Sequence, residues 1–151
     1  MLRAFAWKNI RLIRFVRARV VEIDDDHCLV RIPLDRRTRN HLHSQYIGAL
    51  MIGADLAGGL LAFRKASQLG RGISFAFKDA HAEFFKRAEG ETHFLCRDGE
   101  IIAAALQRAF SDHQRINQPV LVEVTVPEVL GSEVVASFQM TLSVRAQQES
   151  D

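Results

Sequence analysis

Residues 40–59 read NHLHSQYIGALMIGADLAGG, and the fold turns on how this stretch is understood. From Tyr46 onward it consists of apolar and very small residues, with Asp55 in their midst. The length and composition from Tyr46 to about Ala66 predict a helix buried on most sides. Its small residues (Gly48, Ala49, Gly53, Ala54, Ala57, Gly58 and Gly59) include four glycines, each costing about 1 kcal/mol relative to alanine in a helix interior. Close approach of the helix backbone to a sheet or to a ligand is the physical compensation for such a composition. A carboxylate in this setting either faces solvent or borders a site.

The flanking sequence predicts strands. Arg17 to Ile23 and Cys28 to Leu34 are two short β-like runs separated by Asp24, Asp25, Asp26 and His27, a polar cluster suited to a hairpin turn. Cys28, Val30, Ile32 and Leu34 share one face of the second run. Beyond the helix, Arg71 to Lys86 reads as a long strand. Ile73, Phe75 and Phe77 set one parity and Ala80, Ala82 and Phe84 the other, which predicts a β-bulge at Asp79. Thr92 to Arg97 is a further strand, and Gly99 to about His113 a short helix. Val120, Val122, Val124 and Val126, then Val134, Ala136, Phe138, Met140, Leu142 and Val144, alternate with mostly polar partners. The order predicts an α+β domain of about six strands whose antiparallel sheet lies on or around one central helix.

Composition sets bounds on this picture. A chain of 151 residues, 48% hydrophobic and 25% charged, suits one globular domain, placed at 18–146 with a flexible tail at 147–151. No apolar run is read as approaching the roughly 20 residues that cross a bilayer, so no membrane insertion is expected. Two cysteines, Cys28 and Cys96, far apart in sequence, suggest reduced thiols in a cytoplasmic protein. Charge is uneven: Arg3, Lys8, Arg11, Arg14, Arg17 and Arg19 stand in the first 20 residues with no acid among them. On a helical wheel Phe5, Ala6, Ile10, Leu12, Ile13 and Val16 form one arc, so residues 1–17 read as a basic amphipathic helix. Membrane contact, nucleic-acid contact and organelle targeting are possible uses of such a helix. The simplest is a terminal helix that lays its apolar side on the protein. Nucleic-acid binding lacks support, because only Trp7 and Phe15 interleave aromatic side chains with the charges.

At this point the chain resembles the hotdog-fold superfamily, specifically the PaaI-type acyl-CoA thioesterases and an uncharacterised thioesterase-like branch beside them. The residues that carry the resemblance are Asn40, the segment from Tyr46 to Phe63 and the segment from Lys78 to Phe94. The resemblance implies a curved antiparallel sheet wrapped around the helix, pairing of two subunits into a homodimer or a tetramer, and an acyl-thioester site at the interface. It implies no cofactor. In PaaI-type enzymes an Asn precedes a helix that begins His-Gly-Gly and carries an Asp further on. Those positions match Asn40, Gly48 and Asp55, whereas Tyr46 stands in place of the His and Ile47 in place of the first Gly.

Residue chemistry supports roles for these groups. The backbone N–H of Gly48 at a helix N-terminus is a donor where negative charge develops on a thioester carbonyl. With the interface that the resemblance implies, Asp55 is expected to act as general base or nucleophile across from Asn40 and Gly48 of the other subunit, with Asn40 orienting water or carbonyl. Tyr46 and Ile47 lie at the substrate's entry to the helix. Phe84 and Phe85 point to opposite faces of a strand, one toward the core and the other toward an acyl chain or a subunit interface. Lys86 and Arg87 are candidates for the phosphates of a CoA carrier. His41 and His43 have metal-ligand spacing but no further His or Cys nearby, so no metal is expected. Two functions therefore stand: an acyl-CoA hydrolase, or a non-catalytic hotdog protein that binds acyl or other apolar ligands.

Overall fold

The computed structural model describes residues 10–147. Ten elements follow one another: α1 (Arg11–Phe15), β1 (Arg19–Ile23), β2 (Cys28–Ile32), α2 (Ile47–Leu69), β3 (Ile73–Phe84), β4 (Thr92–Cys96), α3 (Gly99–Ser111), β5 (Ile116–Thr125), α4 (Pro127–Leu130) and β6 (Val134–Ala146). All six strands form one antiparallel sheet in the order β1-β2-β4-β5-β6-β3. The fold is α+β, a hotdog in which the sheet covers the long helix α2, and α3 packs beside α2 against β5 and β6.

Alternation puts the apolar parity of each strand inward. Cys28, Val30 and Ile32 of β2, Phe94 and Cys96 of β4, Val122 and Val124 of β5 and Met140, Leu142 and Val144 of β6 have no exposed surface. Burying one such Val, Leu or Phe side chain contributes about 1.5–3 kcal/mol, which makes this face the main source of stability. The β1–β2 turn is closed by Asp24, whose Oδ1 accepts the N–H groups of Asp26 (2.8 Å) and His27 (2.9 Å).

Helix α2 meets the sheet where its side chains vanish. An added β-carbon at Gly53 would stand 2.3 Å from the Phe94 ring, and one at Gly58 would stand 3.0 Å from Phe77. The glycines thus let the helix backbone approach the sheet. By length and composition α2 is apolar enough to cross a membrane, contrary to the sequence expectation. Its apolar surface is instead spent inside the protein, with Ala54, Ala57, Leu61 and Ala62 wholly buried. The helix also runs past the expected Ala66, to Leu69, and stops where Gly70 adopts φ +62°.

Other expectations change as well. The bulge falls between Phe77 and Asp79, because Phe77 pairs with Leu142 and Asp79 with Thr141, leaving Lys78 as the extra residue. Neither Phe84 nor Phe85 is core: they are 47% and 55% exposed. The N–H groups of Phe85 and Lys86 both reach the carbonyl of Val135, at 2.8 and 3.1 Å, so the chain bends and strict alternation ends there.

Of the basic amphipathic helix placed at 1–17, residues 1–9 lie outside the described part, and so do residues 148–151 of the predicted tail. The described portion, α1, is five residues long and ends before Arg17, whose φ is +59°. Among the described residues of the predicted apolar arc, Ile13 and Val16 are buried, whereas Ile10 and Leu12 are exposed, as is the neighbouring Phe15. One and a half turns of helix can rest only an i, i+3 pair on the body.

Candidate active site

The loop from Pro33 to Tyr46 delivers the chain to the start of α2. Asn40 organises it: its Oδ1 accepts N–H groups from Leu42 (2.9 Å) and Ser44 (3.1 Å), and its Nδ2 donates to Ser44 Oγ (3.0 Å). This is the turn-capping use of an Asn side chain. Its hydrogen-bonding atoms face the loop and fix it. On the far side, Gln45 N–H donates to Ala88 O at 2.8 Å, and Tyr46 N–H donates to Thr38 O at 2.7 Å.

These bonds draw the loop, the start of α2 and the chain after β3 around one cavity of about 400 Å³. Asn40, Ile47, Phe84, Phe85, Lys86 and Arg87, six of the nine expected site residues, line it. The other three, Tyr46, Gly48 and Asp55, are not part of its wall. Leu42, Ser44, Gln45, Leu50 and Ala88 complete the lining. Of these, Gln45 was not legible as a site residue: glutamine is mostly exposed in proteins, and nothing in the local pattern marks it as buried.

Tyr46 is the N-cap of α2 and gives no side-chain capping bond. Its ring lies against Gly48, where an added β-carbon would come within 2.5 Å of Cε1. The missing side chain at Gly48 therefore accommodates Tyr46. Helix geometry leaves the first N–H groups of α2 without intrahelical acceptors, and they carry the positive end of the helix dipole.

Asp55 follows Gly48 by seven residues, about 10.5 Å along the axis and on the same face. Gly48, Met51, Ile52, Asp55 and Gly59 form the one stripe in this part of α2 that is not fully buried. Asp55 makes no hydrogen bond or ion pair with any described residue. Although the residue reaches solvent in the single chain, the protein packed around its carboxyl displaces enough water to raise its pKa above the ordinary 3.8.

Of the two cations, Lys86 Nζ is held by Glu133 at 2.7 Å, whereas Arg87 has no such partner among the described residues and is exposed. His41 and His43 are exposed loop residues. Among the described residues, one close group has metal-ligand side chains: Glu22, Asp24 and His27 in the β1–β2 hairpin. The His27 ring nitrogens pair there with Glu22 (3.3 Å) and Asp24 (3.1 Å).

The sheet order and the long buried helix define a protein of the hotdog class. Residues 4–144 match the family described as a domain of unknown function, DUF4442, and the chain belongs to that family. Among solved structures it is similar to a thioesterase candidate from Shewanella oneidensis, with 15% identity, a TM-score of 0.81 and coverage of 95% of this chain and 94% of that one. A protein of unknown function from Pseudomonas aeruginosa, described as a probable thioesterase, has 23% identity, a TM-score of 0.82 and coverage of 97% and 94%. A protein of unknown function from Chlorobaculum tepidum has 12% identity, a TM-score of 0.84 and coverage of 97% and 93%. No functionally curated protein matches the chain in sequence.

Proposed function

We propose that this protein hydrolyses acyl thioesters, acyl-CoA in particular, at a site completed by a second copy of the chain. The observation that carries the reading is Asp55: a carboxylate without a partner among the described residues and with a raised pKa, on the accessible stripe of a largely buried helix. A carboxylate whose proton affinity is raised toward the working pH is a better general base than an ordinary Asp. The edge strand β3, twelve residues long and paired only with β6, offers the backbone groups for joining two subunits.

In this reading Asp55 of one subunit takes a proton from water as the water oxygen adds to the thioester carbonyl. The carbonyl oxygen gains charge near the N–H of Gly48 and the start of α2 in the other subunit. Collapse breaks the C–S bond, and the departing thiolate takes up a proton, leaving a carboxylic acid and a thiol. Asn40 holds the loop, Tyr46 and Ile47 border the reacting end, Phe84 and Phe85 contact the acyl chain, and Lys86 and Arg87 face the carrier phosphates. No metal or cofactor enters this scheme, and the protein acts in the cytoplasm.

Thioester hydrolysis over short, medium, long and aromatic acyl-CoAs, with wild type beside Asp55→Asn, tests the proposal. Turnover by the wild type and its loss in the variant is the expected result. Full activity in Asp55→Asn on a confirmed substrate overturns the assignment of the base. A second reading, a hotdog protein that binds acyl ligands without turnover, draws on Tyr46 and Ile47, which leave the helix start with no imidazole. Ligand retained in native mass spectra without hydrolysis supports that alternative.

A further inference from the structure

Five polar side chains in the described residues are buried: Thr38, Ser44, Gln45, Thr92 and Ser143. Four have partners. Thr38 Oγ1 donates to Pro33 O at 2.7 Å, Thr92 Oγ1 to Ile32 O at 3.3 Å, Ser44 Oγ accepts from Asn40 Nδ2, and Ser143 Oγ accepts from Arg115 at 3.0 Å. Gln45 is the exception. The residue is 3% exposed, and both Nε2 and Oε1 are shut away from solvent with no hydrogen-bond partner among the described residues. A buried amide left in this state has lost its bonds to water and gained none in return.

The backbone that carries this amide is fixed. The Gln45 backbone is tied to Ala88 O, a β-bridge joins it to Arg39, and Tyr46 N–H is held by Thr38 O. Yet Gln45 belongs to the wall of the 400 Å³ cavity, whose other lining residues include Leu42, Ile47, Leu50, Phe84 and Phe85. A long side chain with rotatable χ angles, rooted in a rigid loop at the edge of an apolar cavity, can present its amide to whatever fills that cavity.

We infer that Gln45 is the polar recognition group of the cavity, and that its amide is met by a neutral group of the bound ligand that both donates and accepts hydrogen bonds. A carboxylate only accepts and an ammonium only donates, so neither satisfies Oε1 and Nε2 together. A plain hydrocarbon satisfies neither. For a thioester ligand, two sources have the required chemistry: a hydroxyl on the acyl group, or an amide in the carrier arm. The inference rests on the proposed function only in taking a thioester as the ligand; it does not require turnover.

The test measures affinity for two S-alkyl-CoA thioethers of equal chain length, one with a hydroxyl on the third carbon, by calorimetry on wild type and Gln45→Met. Methionine keeps length and bulk while removing both polar atoms. With an acyl hydroxyl as partner, the wild type prefers the hydroxylated thioether by about tenfold and Gln45→Met loses that preference. With a carrier amide as partner, both thioethers weaken by a similar factor in the variant. In either case the ligand-free variant melts no lower than wild type, because an unmet buried amide has been removed. Equal binding by wild type and variant overturns the inference. So does a variant that melts lower or loses its dimer, which gives Gln45 a structural partner such as the second subunit. Failure of the wild type to bind either thioether counts instead against the thioester reading and removes the ligand class assigned here.

Discussion

Gly53 of α2 lies directly against the ring of Phe94 in β4: an added β-carbon would come within 2.3 Å of two ring atoms. Phe94 is wholly buried, so its ring has nowhere to move. Gly53→Ala gains up to about 1 kcal/mol of helix propensity but overpacks the core at a cost of about 1–3 kcal/mol. A net loss of up to about 2 kcal/mol is expected. At Gly59 the nearest atom would be 3.9 Å away, so Gly59→Ala keeps the propensity gain. Denaturant titration of the two variants checks the opposite signs, and equal effects would show that Gly53 does not set the helix-to-sheet distance.

Cys28 and Cys96 are directly opposed in the β2–β4 ladder, although 67 positions separate them in sequence. Both are free and buried, and burial pushes their thiols up to about 12 and about 11. The neutral thiol is therefore favoured in the folded state. Their contribution to stability is fully present below the ordinary thiol pKa of 9.0 and fades as pH rises through the folded pKa values. Native protein should resist a thiol-reactive dye at pH 8 until denaturant is added, and its melting temperature should fall above pH 9. Rapid labelling in the native state would contradict this burial.

Much of the fold is legible in the sequence because it rests on period-two and helix-length patterns. The alternation of β5 and β6, the small-residue helix and the bulge near Asp79 all follow from apolar spacing. What is not legible depends on contacts distant in sequence. The exposure of both Phe84 and Phe85 follows from two N–H groups converging on Val135 O, a residue about 50 positions away. Asn40 is a local case: its type suits a turn, and its bonds to Leu42 and Ser44 show that it serves the loop. Gln45 is the opposite case. Its type argues for the surface, and only the assembled cavity buries it.

Asp55 predicts opposite changes in activity and stability. Its raised pKa means the folded protein disfavours the carboxylate, so its contribution to stability is present below 3.8 and lost as pH rises through the raised value. Asp55→Asn should melt higher than wild type at neutral pH, with the difference shrinking toward pH 4. Activity needs the ionised form and therefore rises through the same interval, and removing the base should lower kcat by about 10²–10⁴-fold. Melting curves and pH–rate profiles on the two proteins check both halves. A variant that melts lower at pH 7 would mean the carboxylate has a stabilising partner.

Lys86 and Arg87 predict an asymmetry in binding the carrier. Glu133 already neutralises Lys86 at 2.7 Å, in a half-exposed pair of the kind that contributes at most about 1 kcal/mol. Arg87 is exposed with no described carboxylate to compete for it, and its guanidinium can engage a phosphate bidentately. A charge-assisted hydrogen bond of about 1.5–3 kcal/mol corresponds to roughly a tenfold to hundredfold change in affinity. Arg87→Ala should therefore raise KM for acyl-CoA by about tenfold or more with kcat little changed, while Lys86→Ala changes KM severalfold at most. The Arg87 effect should shrink in high salt as its charge is screened. The same measurements on an acyl thioester lacking phosphates provide the control: Arg87→Ala should then behave like wild type, and an undiminished KM effect there would assign Arg87 to the acyl end of the cavity instead.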